Sequence, residues 1–322
     1  MQKFFSFILV FSALAPSLLS QSAPASDENI PYLVTFGGES KTSWGDDDFC
    51  QIFFFVIPLS QKEPFYVRVF DPETWGTNDE VKGQFNTVTS FSIYSGHGCW
   101  SVMDAQAIDP VGYYKSGILA ATKSFGAEPN YHMKYYSFGP FNPSEGEFIE
   151  KFGGRIFKII AQGISGDDGN LYKYFLSTSA EENIPVEGSN FFTYEYTLRM
   201  WDDPKEVSQI YPFIDDKTIS IEISNFDWDF DGAIKLISVA KNGIECDISG
   251  EDNWVVNKFP IVEEEKNTSI EIRFIKNQKV RIVKNNVVIV VRNQYGLSLP
   301  FFVVPIGGRP VYKPKIQMKE IQ

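Results

Sequence analysis

The chain has 322 residues, 43% hydrophobic and 22% charged, so it can bury a sizeable core and is not a disordered polymer. Lys and Arg total 29 against 41 Asp and Glu, a formal charge of −12, and this acidic excess argues against general nucleic-acid binding, which needs a basic face. Only two histidines, His97 and His132, occur, which leaves little for a His-rich metal site or a Ser-His-Asp triad.

The first twenty residues, MQKFFSFILVFSALAPSLLS, place Lys3 ahead of a largely apolar run over 4–14, followed by small residues. This pattern reads as a secretory signal peptide over 1–20, cleaved near Ser20, Ser22 or Ala25, with a linker over 21–30. The alternative, a membrane anchor, needs a longer apolar run than this one. No later run approaches about 18 apolar residues, so the mature chain is expected to have no transmembrane segment and to be secreted, periplasmic or at the cell surface. An oxidising destination permits disulfides, and the three cysteines, Cys50, Cys99 and Cys246, leave one thiol over. Two readings stand: a Cys50–Cys99 bridge, or three buried free thiols.

Strand signals dominate the rest. Short runs rich in β-branched and aromatic residues, bounded by Gly, Pro, Asn or Asp, occur at 52–57 (IFFFVI), 65–70 (FYVRVF), 89–94 (TSFSIY), 156–161, 171–176 and 192–198, then at 219–223, 233–239, 270–275, 287–291 and 301–304. No convincing 3.6-residue period persists for ten residues or more. Strands without intervening helices exclude a doubly wound α/β sheet and predict an all-β fold, here two β-sandwich domains over 31–203 and 204–322. The division is placed at Trp201-Asp202-Asp203-Pro204, and charge supports it: residues 21–204 carry 25 acids and 12 bases, whereas 205–322 carry 16 of each.

The first candidate site is an acidic loop. Asp46-Asp47-Asp48 precedes the 52–57 run, and Asp71, Asp79 and Glu80 follow the next strand. Clustered carboxylates repel one another unless a cation or solvent separates them, and Ca²⁺ takes six to eight hard oxygen ligands. Asp71, Asp79 and Glu80, with Asp48 as a further ligand, are therefore candidate calcium ligands, against a solvated loop in which Asp71-Pro72 simply opens a turn.

These residues carry a resemblance. Residues 47–58 (DDFCQIFFFVIP), then 65–72 (FYVRVFDP), resemble the opening of a bacterial pre-peptidase C-terminal domain, and 192–200 (FTYEYTLRM, from Phe192) is similar to that family's last strand. The resemblance spans 30–203 with a long insertion. It implies a small jelly-roll-like accessory domain of secreted proteins, often calcium-associated and non-catalytic.

A second acidic candidate is Asp227-Trp228-Asp229-Phe230-Asp231-Gly232. The D-x-D-x-D-G spacing suits a cation at Asp227, Asp229 and Asp231, although an EF-hand would need Glu where Ser238 stands. The competing reading is an Asp-Gly turn between strands. The segment Tyr94-Ser95-Gly96-His97-Gly98 resembles the catalytic-histidine segment of metacaspase-like cysteine peptidases, with Cys246 as the only non-adjacent cysteine downstream, but the helices of that fold are absent. Trp75 and Trp100 fall in predicted loops, where flat aromatic faces can stack on sugar rings or plug sandwich ends. Together these features predict an exported, non-catalytic binding or structural protein, calcium-stabilised, that recognises a glycan or cell-surface partner through loops. A carbohydrate-active hydrolase with a carboxylate pair, and a subunit of a surface assembly, are the alternatives.

Overall fold

The apolar run 52–57 lies inside the strand Cys50–Pro58, which is buried on both faces. Phe53, Phe55 and Ile57 enter the main core, while Ile52, Phe54 and Val56 enter a second cluster across the sheet. Successive side chains of a strand point to opposite faces, so burial on both faces demands a continuous apolar run instead of an alternating one.

The computed structural model describes residues 22–41, 49–277 and 284–314. The expected signal peptide and Asp48 lie outside the described residues. Strands are joined by turns, loops and five 3₁₀ segments of three or four residues, and the described residues contain no α-helix. The fold is all-β, as the strand pattern predicts, and no helix among the described residues is long and apolar enough to cross a membrane.

A nine-stranded sheet runs, edge to edge, through Trp254–Pro260, Ser220–Phe226, Asn286–Asn293, Glu195–Arg199, Tyr32–Phe36, Gly169–Ser177, Phe65–Phe70 and Tyr135–Phe141, with Ser22–Ala23 pairing beside Gly169–Ser177. A seven-stranded sheet runs through Phe301–Phe302, Asn190–Thr193, Cys50–Pro58, Gly154–Ser165, Val88–Ser95 and Ile118–Phe125, with Glu147–Ile149 beside Gly154–Ser165. Their facing side chains interlock, for example Phe53 edge-on to Tyr174 at 5.7 Å and Phe55 edge-on to Phe65 at 6.1 Å. A four-stranded sheet, Val207–Ile210, Glu271–Lys276, Gly232–Ile237 and Asn242–Cys246, joins the same core at the other end, where Trp228 packs on Phe274 at 5.6 Å. A two-stranded pair, Phe213–Ile214 with Thr268–Ser269, completes the described sheets.

The division drawn after Asp203 separates strands that share one sheet. Glu195–Arg199 pairs with Asn286–Asn293, from Glu195↔Val290 to Arg199↔Asn286, and a single apolar cluster runs from Phe53 and Tyr174 to Ile234 and Phe274. Backbone hydrogen bonds and packing, not a linker alone, therefore connect the two halves. The predicted strand over 192–198 breaks at Tyr194: Asn190–Thr193 lies in the seven-stranded sheet and Glu195–Arg199 in the nine-stranded one. Thr193 fixes this corner, its Oγ1 bridging the carbonyls of Ile52 and Glu195 at 2.7 and 2.6 Å. Cys50, Cys99 and Cys246 are all buried.

One pairing positions the site described next. Phe65–Phe70 runs antiparallel to Tyr135–Phe141, with Phe70 opposite Tyr135. The chain leaving Phe70 and the chain entering Tyr135 therefore meet at the same end of the sheet.

Candidate functional site

At that end, Asp71 sits directly after the strand Phe65–Phe70, and its backbone amide donates to the carbonyl of Lys134 at 2.9 Å. Asp71 has a left-handed backbone, φ 56°, which short polar side chains tolerate. This bend turns its carboxylate inward. Oδ1 accepts the Met133 amide at 2.6 Å and Oδ2 accepts Asn78 Nδ2 at 2.8 Å. Both Asp71 and Glu73 are fully buried. His132 reaches in from the opposite loop, its Nδ1 3.4 Å from Asp71 Oδ1 and 3.4 Å from Glu73 Oε1. A Cβ at Gly76, where φ is +88°, would run into the His132 imidazole, so glycine is what lets the loop close over the ring.

Glu73 is the exceptional member. Neither of its carboxylate oxygens has a hydrogen-bond partner, and neither does His132 Nδ1. Burial pushes the Glu73 carboxyl up to about 7; its own backbone amide opposes this, and the Asp71 carboxyl adds to it.

Asp79 belongs to the same loop but has a different task. Its Oδ2 accepts the Trp75 amide at 2.7 Å and its Oδ1 accepts the Leu171 amide at 2.7 Å. Oδ2 thus closes the loop on itself, and Oδ1 ties it to the strand Gly169–Ser177. Burial raises this carboxyl well above the usual carboxylate range, opposed by the two amide hydrogen bonds and reinforced by Asp71 and Glu73. Glu80 turns away altogether. It forms a buried ion pair with Arg199 and accepts Asn286 Nδ2 at 3.1 Å. The structure therefore does not gather Asp71, Asp79 and Glu80 as one ligand set. It places Asp71 with Glu73 and His132, whose ligand atoms lie within 4.8 Å of one another.

The second acidic segment is arranged otherwise. Asp231 is buried against Lys276, Oδ2 to Nζ at 3.1 Å. Asp227 accepts the Asp252 amide at 3.3 Å, and Asp229 is exposed. These three carboxylates do not form a cluster of ligand atoms.

The two tryptophans also part company. Trp75 is 39% exposed, with its ring 5.2 Å from that of Phe85. Trp100 is half-buried, donates from Nε1 to Tyr194 Oη at 3.1 Å and stands edge-on to Phe152 at 5.3 Å. It packs against the second cluster.

His97 is almost wholly exposed, while Cys246 is buried in the four-stranded sheet with burial pushing its thiol up to about 12. That pair has neither the reactive thiolate nor the shared location that nucleophilic catalysis needs. Near His97, Glu147 anchors the 96–101 turn, accepting the amides of Gly98, Trp100 and Ser101 and the Ser101 hydroxyl. Burial opposes ionisation there, yet these donors hold the Glu147 carboxyl below its usual value.

Glu73 and His132 were missed from sequence. Glu73 lay inside the acidic run, and His132 is one of only two histidines, but nothing local joins positions 59 residues apart. No protein-family model matches the chain, and no curated protein matches it.

Proposed function

We propose that the protein is an exported, non-catalytic binding protein that recognises a glycan or a cell-surface partner through the loop 71–80. The supporting observation is how Trp75 is presented. Its indole is 39% exposed, while its backbone amide is fixed by the buried Asp79 carboxylate and its ring rests beside Phe85. An aromatic face held in place before binding loses little conformational freedom when a sugar ring or apolar group stacks on it.

The test is a titration of the full chain with soluble β-glucan, chitooligosaccharide and mannan, read by tryptophan fluorescence, beside retention on intact cells. Binding that falls at least about tenfold in Trp75→Ala, with an unchanged melting midpoint, supports the reading. Equal binding by the variant, or no binding by the wild type in any format, sinks it.

A second reading, a subunit of a surface assembly, is supported by the strand Ile118–Phe125. It ends the seven-stranded sheet, and Ile118 and Leu119 are 65% and 52% exposed on it. Sedimentation of the full chain tests it, with self-association that Leu119→Lys abolishes as the expected outcome.

A further inference from the structure

We propose that Asp71, Glu73 and His132 bind one divalent transition-metal ion of the zinc class. The argument starts from Glu73. A fully buried carboxylate with neither oxygen in a well-formed hydrogen bond is costly, and native proteins satisfy such groups with a donor, a cation or a proton. Neither Asp71 nor Glu73 has a Lys or Arg within ion-pair distance among the described residues; the basic side chain beside each is His132. The imidazole cannot answer both from Nδ1, which is itself unpartnered.

Geometry and chemistry then choose the ion. Ligand atoms about 2.0–2.1 Å from a tetrahedral zinc lie about 3.4 Å apart. The two separations from His132 Nδ1, to Asp71 and to Glu73, are both 3.4 Å. Two carboxylates neutralise a dication, and a neutral imidazole nitrogen suits zinc and its first-row neighbours far better than Ca²⁺, which selects oxygen. The oxygens that a calcium site would have needed from Asp79 and Glu80 are committed to backbone amides and to Arg199. Asp71 also has the outer support expected of a ligand, with the Met133 amide on one oxygen and Asn78 on the other. Such an ion would tie the 71–80 loop to the 126–134 loop. This inference rests on buried groups beneath the loop and is independent of what Trp75 recognises.

The test uses the full chain stripped with chelator and then titrated with Zn²⁺, Co²⁺ or Ca²⁺, read by calorimetry, by Co²⁺ visible bands and by thermal melting. One Zn²⁺ per chain is expected, with the melting midpoint raised by about 5 °C at a hundredfold excess over Kd. Ca²⁺ at the same concentration is expected to leave the midpoint unchanged. His132→Ala and Glu73→Gln should each abolish the zinc response, and Glu73→Gln should melt no lower than wild type in chelator, which separates lost binding from lost folding. Two outcomes overturn the proposal: no metal uptake by the wild type, which would leave a protonated carboxyl cluster, or zinc and calcium responses that survive His132→Ala.

Discussion

In the loop 227–232, Asp231 turns inward and meets Lys276 Nζ at 3.1 Å; in the loop 71–80, Asp71 and Glu73 turn inward and meet one imidazole nitrogen. Both segments are acidic, both follow a strand, and both use left-handed backbone at an aspartate, φ 57° at Asp227 and 56° at Asp71. They differ in what the fold delivers from elsewhere. The strand Glu271–Lys276 ends beside Asp231 and supplies a cation, whereas the chain entering Tyr135 supplies His132. The acidic run alone therefore does not make a metal site; the residue that arrives from a distant strand decides whether the charge is already balanced.

The largest effect should come from breaking the balanced loop. Lys276→Met leaves Asp231 buried without its cation and should lower unfolding free energy by about 3–5 kcal/mol in urea titration. Adding Asp231→Asn should recover much of that loss, because the stranded charge is removed. The unbalanced loop should respond in the opposite sense. In metal-free buffer, Glu73→Gln removes an unpartnered buried carboxylate and should raise stability by about 1–3 kcal/mol. A loss of similar size would mean that Glu73 has a partner in solution.

A smaller effect separates the loops by pH. Burial, with the nearby Asp229 carboxylate, raises Asp227 from 3.8 to about 6. The folded state then holds this proton more tightly than the unfolded state, so the stability present below about pH 4 is lost as pH rises through about 6. Asp227→Asn cannot ionise and tolerates φ 57°, so its curve should lack that fall; Asp227 is only half-buried and solvent screens it, so the fall should stay under about 1 kcal/mol between unfolding free energies from urea titrations at pH 4 and pH 7. The smallest stability effect is expected at Trp75. Its exposed indole should cost within about 0.5 kcal/mol when truncated to Ala, even where ligand binding is lost.

Much of the strand pattern was legible. The run 65–70 matches the observed Phe65–Phe70, and 89–94 lies within Val88–Ser95. These strands bury at least one face, and burial imprints period-two or continuous apolar runs on the chain. Edge strands left less trace. Ile118–Phe125 is mostly exposed, and Trp254–Pro260 alternates between exposed and half-buried positions, so neither needs a strong apolar signature. The polar anchors were also hidden. Asp168, set in a Gly-Asp-Asp-Gly turn, receives the amides of Lys82, Asn86 and Thr87, 81 or more residues away in sequence.

The sequence by itself determined the all-β character, since side-chain alternation and the lack of helical periodicity are local properties. It also placed Asp71 and Trp75 on a loop after a strand, because Asp-Pro and Gly punctuate the chain there. Which acids would be balanced was decided only by tertiary structure. Strand register set Phe70 opposite Tyr135 and so carried His132 to Asp71 and Glu73, while other pairings took Asp79 to Leu171 and Glu80 to Arg199. The free energy of a buried charge depends on what stands within a few ångströms of it, and for these residues those neighbours come from remote parts of the chain.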